Sequence, residues 1–160
     1  MNRFCAAFRR RFVCKMKSMK SFRNKLFSYV ESQYGSEPEY LWLRFPTYAV
    51  FRHADNKKWF AIVMTVTGTK LGLDSEAPIE ILNVKLSDPL MIDFLSQRDG
   101  FFRGYHMNQN NWISVCLDGT VPWEEICGLL EESYRATAPK RGKNARHRAK
   151  NDVSSADELT

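Results

Sequence analysis

The side chains best suited to chemistry gather in one short stretch, Tyr105-His106-Met107-Asn108-Gln109-Asn110-Asn111-Trp112. An imidazole beside four carboxamides suggests catalysis, metal binding or recognition. As a general base, His106 would need an orienting partner and a nucleophile within hydrogen-bond reach. Asp99, Ser114, Cys116 and Asp118 are the neighbours in sequence. Ser114 and Cys116, however, share one face of an alternating strand, and Asp118 opens an Asp-Gly turn. No G-x-S-x-G, H-E-x-x-H, glycine-rich phosphate loop or paired-carboxylate motif occurs. The expectation is a protein that is not an enzyme.

Metal chemistry has as little support. The three histidines, at 53, 106 and 147, are dispersed. Cys5, Cys14, Cys116 and Cys127 form no C-x-x-C pair. Reduced thiols in the cytoplasm are the simplest reading, with no metal and no cofactor.

Recognition of nucleic acid needs planar donor–acceptor groups and cations. Asn108, Gln109, Asn110 and Asn111 could each pair bidentately with adenine. Arg103 could meet phosphate or guanine, and Tyr105 or His106 could stack on an unpaired base. Lys57 and Lys58 stand at a hairpin tip, and Lys70 in the loop after it. The competing reading is mechanical. Asparagines favour turns because their side chains mimic backbone hydrogen bonds. Tyr105, Met107 and Trp112 would then anchor the turn in the core, and His106 would satisfy a buried carbonyl. Gln109 and Asn110 are expected at the tip, facing solvent.

The net charge of +6 is unevenly placed. Residues 1–30 carry nine Lys or Arg and no acid, and residues 140–160 carry six basic and three acidic groups. Residues 31–139 carry nine basic against fifteen acidic groups, a net −6. Basicity thus belongs to the ends of the chain, and the globular part is mildly acidic. No apolar run approaches the roughly 20 residues of a membrane helix. The opening, rich in Arg, reads as a leader, a transit peptide or a nucleic-acid-binding arm. Met16 and Met19 are plausible alternative starts.

The elements that must position these residues are legible from periodicity. Phe22, Leu26, Val30 and Tyr34 predict a helix over Ser21–Tyr34, capped by Ser21 and ended by Gly35. Tyr48–His53 and Lys58–Val66 predict a hairpin, with Asp55 and Asn56 taking the positive φ of its turn. Residues 67–78 read as a loop and Ile79–Leu86 as a strand. A short helix capped by Ser87 or Asp88 should end at Gly100. A strand follows from Trp112, and then a helix started by Pro122 with Ile126, Leu129, Leu130 and Tyr134 inward. Strands in local succession predict an α+β fold, an antiparallel sheet with helices packed on one face. The expected layout is a basic extension over 1–20, a domain over 21–138 and a disordered basic tail over 139–160.

Three stretches, "EYLWLRFPTYAVFRHADNKKWFAIVM", "ILNVKLSDP" and "GYHMNQNNWISVCLDGTVPWEEICGLLEESYRAT", together resemble the MmcQ/YjbR family. The likeness runs from about Ser21 to Thr137. It implies a frataxin-like, double-wing fold and a proposed role in DNA binding. The family commonly has His before the motif's Trp, where this chain has Asn111. Iron binding of the frataxin kind would need an acidic ridge on the first helix, which here is basic at its start and holds only Glu31. The expected function is a monomeric DNA-binding accessory or regulatory protein using the hairpin wing, the 103–111 loop and the basic arms. The alternative is a non-enzymatic module binding a small molecule or a protein in a pocket between sheet and helices, near Trp59, Tyr105 and Trp112.

Overall fold

Apolar spacing of four along Phe22, Leu26, Val30 and Tyr34 produces the first helix, α1 (Met16–Tyr34). The computed structural model of the chain describes residues 16–139. The expected extension up to residue 15 and tail from residue 140 lie outside the described residues. α1 begins ahead of the cap expected at Ser21, through Met and Lys residues that favour helix. It ends as expected at Gly35, whose φ of 60° is left-handed.

The strands are β1 (Ala49–Arg52), β2 (Trp59–Thr67), β3 (Pro78–Lys85), β4 (Phe101–Arg103) and β5 (Trp112–Cys116). They form one sheet in the order β1-β2-β3-β5-β4, with every neighbouring pair antiparallel. The helices α2 (Pro89–Leu95) and α3 (Trp123–Thr137) complete the fold. The predicted α+β fold is thus the one found. Two details differ. β4 was not anticipated, because three residues are too short to show alternation. α2 ends at Leu95 rather than running on towards Gly100, which instead takes a φ of 85° in the turn before β4. At its start the Asp88 carboxylate accepts from the Leu90 N–H at 2.9 Å, as a cap should.

The main core lies where the helices cover the sheet. Leu26 and Val30 of α1 and Ile126 and Leu130 of α3 pack on Phe51, Val63, Leu82, Val84, Ile113 and Val115. The opposite face is also apolar, with Val50, Ile62, Met64, Ile81 and Cys116. Loops and a short 3-10 helix (Gly68–Leu71), rather than α-helices, cover it, through Trp42, Leu71, Leu73, Tyr105 and Met107.

A β-bulge decides which face Trp59 joins. Phe51 pairs with Ala61, but Arg52 pairs with Trp59, so Phe60 is the extra residue. Regular alternation would put Trp59 with Ala61 and Val63 under the helices. The one-residue slip moves it to the other face. Beyond the Ala61–Val84 pair the β2–β3 ladder is bridged by a side chain. The buried Ser133 hydroxyl of α3 donates to the Phe60 carbonyl at 2.5 Å and accepts from the Lys85 N–H at 2.7 Å.

The β1–β2 turn is held to the end of α3. Positive φ falls on Lys57, at 59°, and not on Asp55 or Asn56 as expected. Asn56 uses its side chain instead, accepting from the Lys58 N–H and donating to the Thr137 carbonyl at 2.8 Å. His53, 2% exposed, places Nε2 2.8 Å from the Thr137 hydroxyl, which donates to the Ser133 carbonyl. Burial pushes the imidazole below its ordinary 6.5, against smaller raising effects from the Tyr134 backbone and Asp55. The unfolded chain therefore takes up this proton more readily than the folded one. Stability from His53 is complete above about pH 6.5 and is lost as pH falls towards the folded pKa. Denaturant titrations should show wild type losing up to about 1.4 kcal/mol per pH unit in that window. A His53→Gln variant should lack this component.

Candidate functional site

The face without helices carries a cleft of about 200 Å³. Its floor is Ile62 and Met64 of β2, and Trp59, turned there by the bulge, forms one wall. The Arg52 guanidinium lies 5.5 Å from the centroid of the Trp59 ring.

A second wall comes from the segment between α1 and β1. After Pro38 the backbone pairs once with β1, Glu39 with Val50, and then crosses over the sheet edge. Two turns follow, with the Phe45 N–H on the Trp42 carbonyl and the Tyr48 N–H on the Phe45 carbonyl, both at 3.0 Å. They bring Trp42, Phe45 and Tyr48 to the cleft. Trp42 stands edge-on to Trp59 at 5.9 Å and 83°, and edge-on to Tyr48 at 6.2 Å and 78°. Phe45 stacks on Tyr48 at 4.8 Å. Burial raises the Tyr48 pKa, followed by the effect of Tyr105, so its phenol stays protonated.

The third wall is the loop that drew attention in the sequence. Because β4 pairs with β5, residues 104–111 are the turn of a hairpin. Gly104 is required there, since a Cβ would lie 2.7 Å from Trp112 Cβ and 2.8 Å from its carbonyl oxygen. Two buried polar side chains inside the sheet then fix Tyr105. The Ser114 hydroxyl accepts from the Tyr105 N–H at 2.9 Å and donates to Asn83 Oδ1 at 2.5 Å. The Asn83 amide donates to the Tyr105 carbonyl at 2.9 Å. Both backbone groups of Tyr105 are thus bound to the sheet. The next residue, His106, takes a left-handed φ of 56°, and with Met107 it closes the cleft.

The residues singled out in the sequence separate into groups. Gln109 and Asn110 are exposed, as expected, and so is Asn108. Asn108 is also a turn residue, its side chain accepting from the Asn110 N–H at 3.0 Å and its carbonyl from the Trp112 N–H. Asn111 is half-buried, and its carbonyl accepts from the Leu86 N–H. His106 is exposed and packs on Tyr105 at 4.1 Å, rather than satisfying a buried carbonyl. Arg103 is paired with Asp93 of α2 at 2.5 Å.

β1 and β4 run towards the same end of the sheet, so Lys57 and Lys58 share that end with Gln109 and Asn110. Three strand spacings separate the two tips, about 14 Å. Lys70 follows β2 at the opposite end and cannot join them. The expected pocket between sheet and helices is corrected too: the cleft lies on the other face, and of Trp59, Tyr105 and Trp112 only Trp59 lines it. Trp42, Phe45 and Tyr48 were missed. Their signal was aromatic density without period between Pro38 and Tyr48.

Ser114 is committed as described, and Asp118 caps its own turn by accepting from the Thr120 N–H. Among the described residues no three His, Cys, Asp or Glu come together as metal ligands. None of the described helices is long and apolar enough to cross a membrane.

Comparison with known proteins agrees with this architecture. The YjbR family model matches residues 31–136. YyaQ of Bacillus subtilis (strain 168) is 42% identical over 115 residues, covering 72% of this chain and 97% of that protein. A Pseudomonas syringae crystal structure is 34% identical, with TM-score 0.70, covering 72% of this chain and 98% of that one. A Deinococcus radiodurans structure with the DUF419 domain is 24% identical, with TM-score 0.57, covering 79% and 86%, and it shares the fold.

Without Ser114, the Tyr105 N–H and Asn83 Oδ1 both lose a partner. Ser114→Ala should cost about 1–3 kcal/mol. Amide exchange across residues 104–107 should accelerate more than exchange in α3. Unchanged exchange there would show that the loop is held by other means.

Proposed function

The chain belongs to the YjbR family, and we propose that it is a non-catalytic recognition domain that receives a ligand in the aromatic cleft on the sheet face without helices. The observation that carries this reading is the cleft itself, walled by aromatic rings among which Trp42 stands nearly perpendicular to both Trp59 and Tyr48. Soluble domains expose such surface sparingly, and contiguous apolar patches mark binding sites. The segment that supplies Trp42 and Phe45 to the cleft also exposes Tyr40, Leu41 and Leu43. The committed hydroxyl of Ser114 and the turn role of Asp118 support a binding rather than a chemical role.

The four tryptophans provide an internal test. Trp42 and Trp59 line the cleft, whereas Trp123 packs among Phe22 and Tyr29 on the helix side. In a fragment screen read by NMR, bound fragments should move the indole resonances of Trp42 and Trp59 and leave Trp123 in place. Shifts confined to Trp123, or no bound fragment at all, would refute the cleft as the site.

A second reading, DNA binding, is favoured by one observation: both loop tips project from the same end of the sheet. Lys57 and Lys58 would hold phosphates while Gln109 and Asn110 meet base edges. The pairing of Arg103 with Asp93 and the remote position of Lys70 reduce the cations available. On this reading, Lys57→Ala with Lys58→Ala should flatten the slope of log K against log salt by about 2. Lys70→Ala should leave it unchanged. Equal effects of the two changes would sink this reading.

A further inference from the structure

We infer that the cleft takes an uncharged single aromatic ring with one hydrogen-bonding group on its edge, as in a phenol; this rests on the cleft being the binding site. Size sets the first limit. An apolar cavity of about 150 Å³ holds a benzene ring, so a cleft of about 200 Å³ holds one ring system and little more. The lining sets the second. Trp42, Phe45, Tyr48 and Trp59 surround the cleft with rings, and Met64 and Met107 bring thioethers to it. Trp42 meets both Trp59 and Tyr48 nearly at right angles. A planar guest can therefore lie against one ring while taking the edge of another, the two arrangements that aromatic quadrupoles favour. Thioether sulfurs add contacts to an aromatic guest that a saturated ring does not receive.

Charge sets the third. The lining has no Asp, Glu, Lys or Arg. Arg52, which lies against the Trp59 ring, is already paired with Glu39. A charged group carried into the cleft would lose water and gain no counter-charge, so the enclosed ring must be neutral. His106 supplies a polar handle. It is exposed and yet lines the cleft, so it stands at the rim, placed there by the bonds that fix Tyr105. Its ring rests on that of Tyr105, and among the described residues nothing bonds its nitrogens. In its neutral form an imidazole offers one N–H and one lone pair. A hydroxyl on the edge of the guest can meet either.

The test titrates the full chain with phenol, toluene, cyclohexanol, benzoate and benzylammonium, following the Met64 methyl and the Trp42 and Trp59 indole resonances. Phenol should bind and move all three. Cyclohexanol, with the same hydroxyl on a saturated ring, should bind about two- to tenfold more weakly, the span of an aromatic pair. Benzoate and benzylammonium, which bring charge to the same ring, should be weaker by about tenfold or more. His106→Phe keeps a flat ring on the wall without its polar atoms. It should weaken phenol by about two- to tenfold, the span of one hydrogen bond, and leave toluene at least as tight. Should that variant fail to fold, the ranking of the probes on the unaltered chain still decides the matter.

Cyclohexanol, benzoate or benzylammonium binding at Met64 as tightly as phenol would overturn the inference and leave the cleft as the site. Phenol binding unaffected by His106→Phe, or weakened no more than toluene binding, would also overturn it. Silence from every probe while other fragments still move Trp42 and Trp59 would overturn it alone. Silence from every probe, together with an empty fragment screen, would remove both.

Discussion

Between Phe60 and Lys85 the two central strands are joined through the Ser133 hydroxyl instead of directly. The bulge at Phe60 leaves a carbonyl and an amide facing each other across a gap that the Ser133 hydroxyl fills. Unpaired, each would cost about 1–3 kcal/mol. A hydroxyl is the smallest group that can accept from one and donate to the other. With that bridge in place the bulge is affordable, Phe60 packs against Tyr34 and Tyr134, and Trp59 turns to the opposite face. α3 therefore does more than cover the core. One serine on its buried side determines what stands on the far side of the sheet.

The same economy governs the third wall. Asn83 and Ser114 are buried polar residues at paired positions on β3 and β5, where apolar side chains would pack more simply. Their hydrogen bonds are spent on each other and on the backbone of Tyr105. A loop of amides and small residues has little apolar area with which to hold itself down. Two well-satisfied polar groups inside the sheet supply the anchorage instead. His106 and Met107 follow the anchored residue directly, so their place over the cleft derives from a network that neither of them joins.

Charge is distributed consistently with a small recognition surface. α3 opens with Glu124 and Glu125, whose charges favour the helix start, and Glu125 pairs with Arg98. Glu80, buried beneath α1, pairs with Arg23. These acids serve the helix side of the molecule. On the sheet face bearing the cleft, the Arg52 guanidinium lies against Trp59 and is paired with Glu39. Relatives in the family share the fold, and fold alone does not assign a ligand. The assignment has to come from the side chains on the open face.

Periodicity made most of the architecture legible. Apolar spacing of four announced α1, the pattern Ile126, Leu129, Leu130 announced α3, alternation announced β1 and β3, and the polar turn at Asp55 and Asn56 announced β2 as the return strand of the hairpin. The family resemblance carried by Gly104 to Thr137 was equally readable, and that stretch contains Ser114, Ser133 and Tyr134. β4 escaped because three residues hold no period. The cleft escaped for a deeper reason. Trp42, Phe45 and Tyr48 lie in turns without repeat, and Trp59 sits in a strand whose alternation assigns it to the wrong face. Sequence by itself determined the elements, because each depends on contacts a few residues apart. Only tertiary structure decided where the aromatic rings meet. That depends on a bulge bridged by Ser133, 73 residues beyond Phe60, and on an amide at Asn83 that holds Tyr105 from 22 residues away.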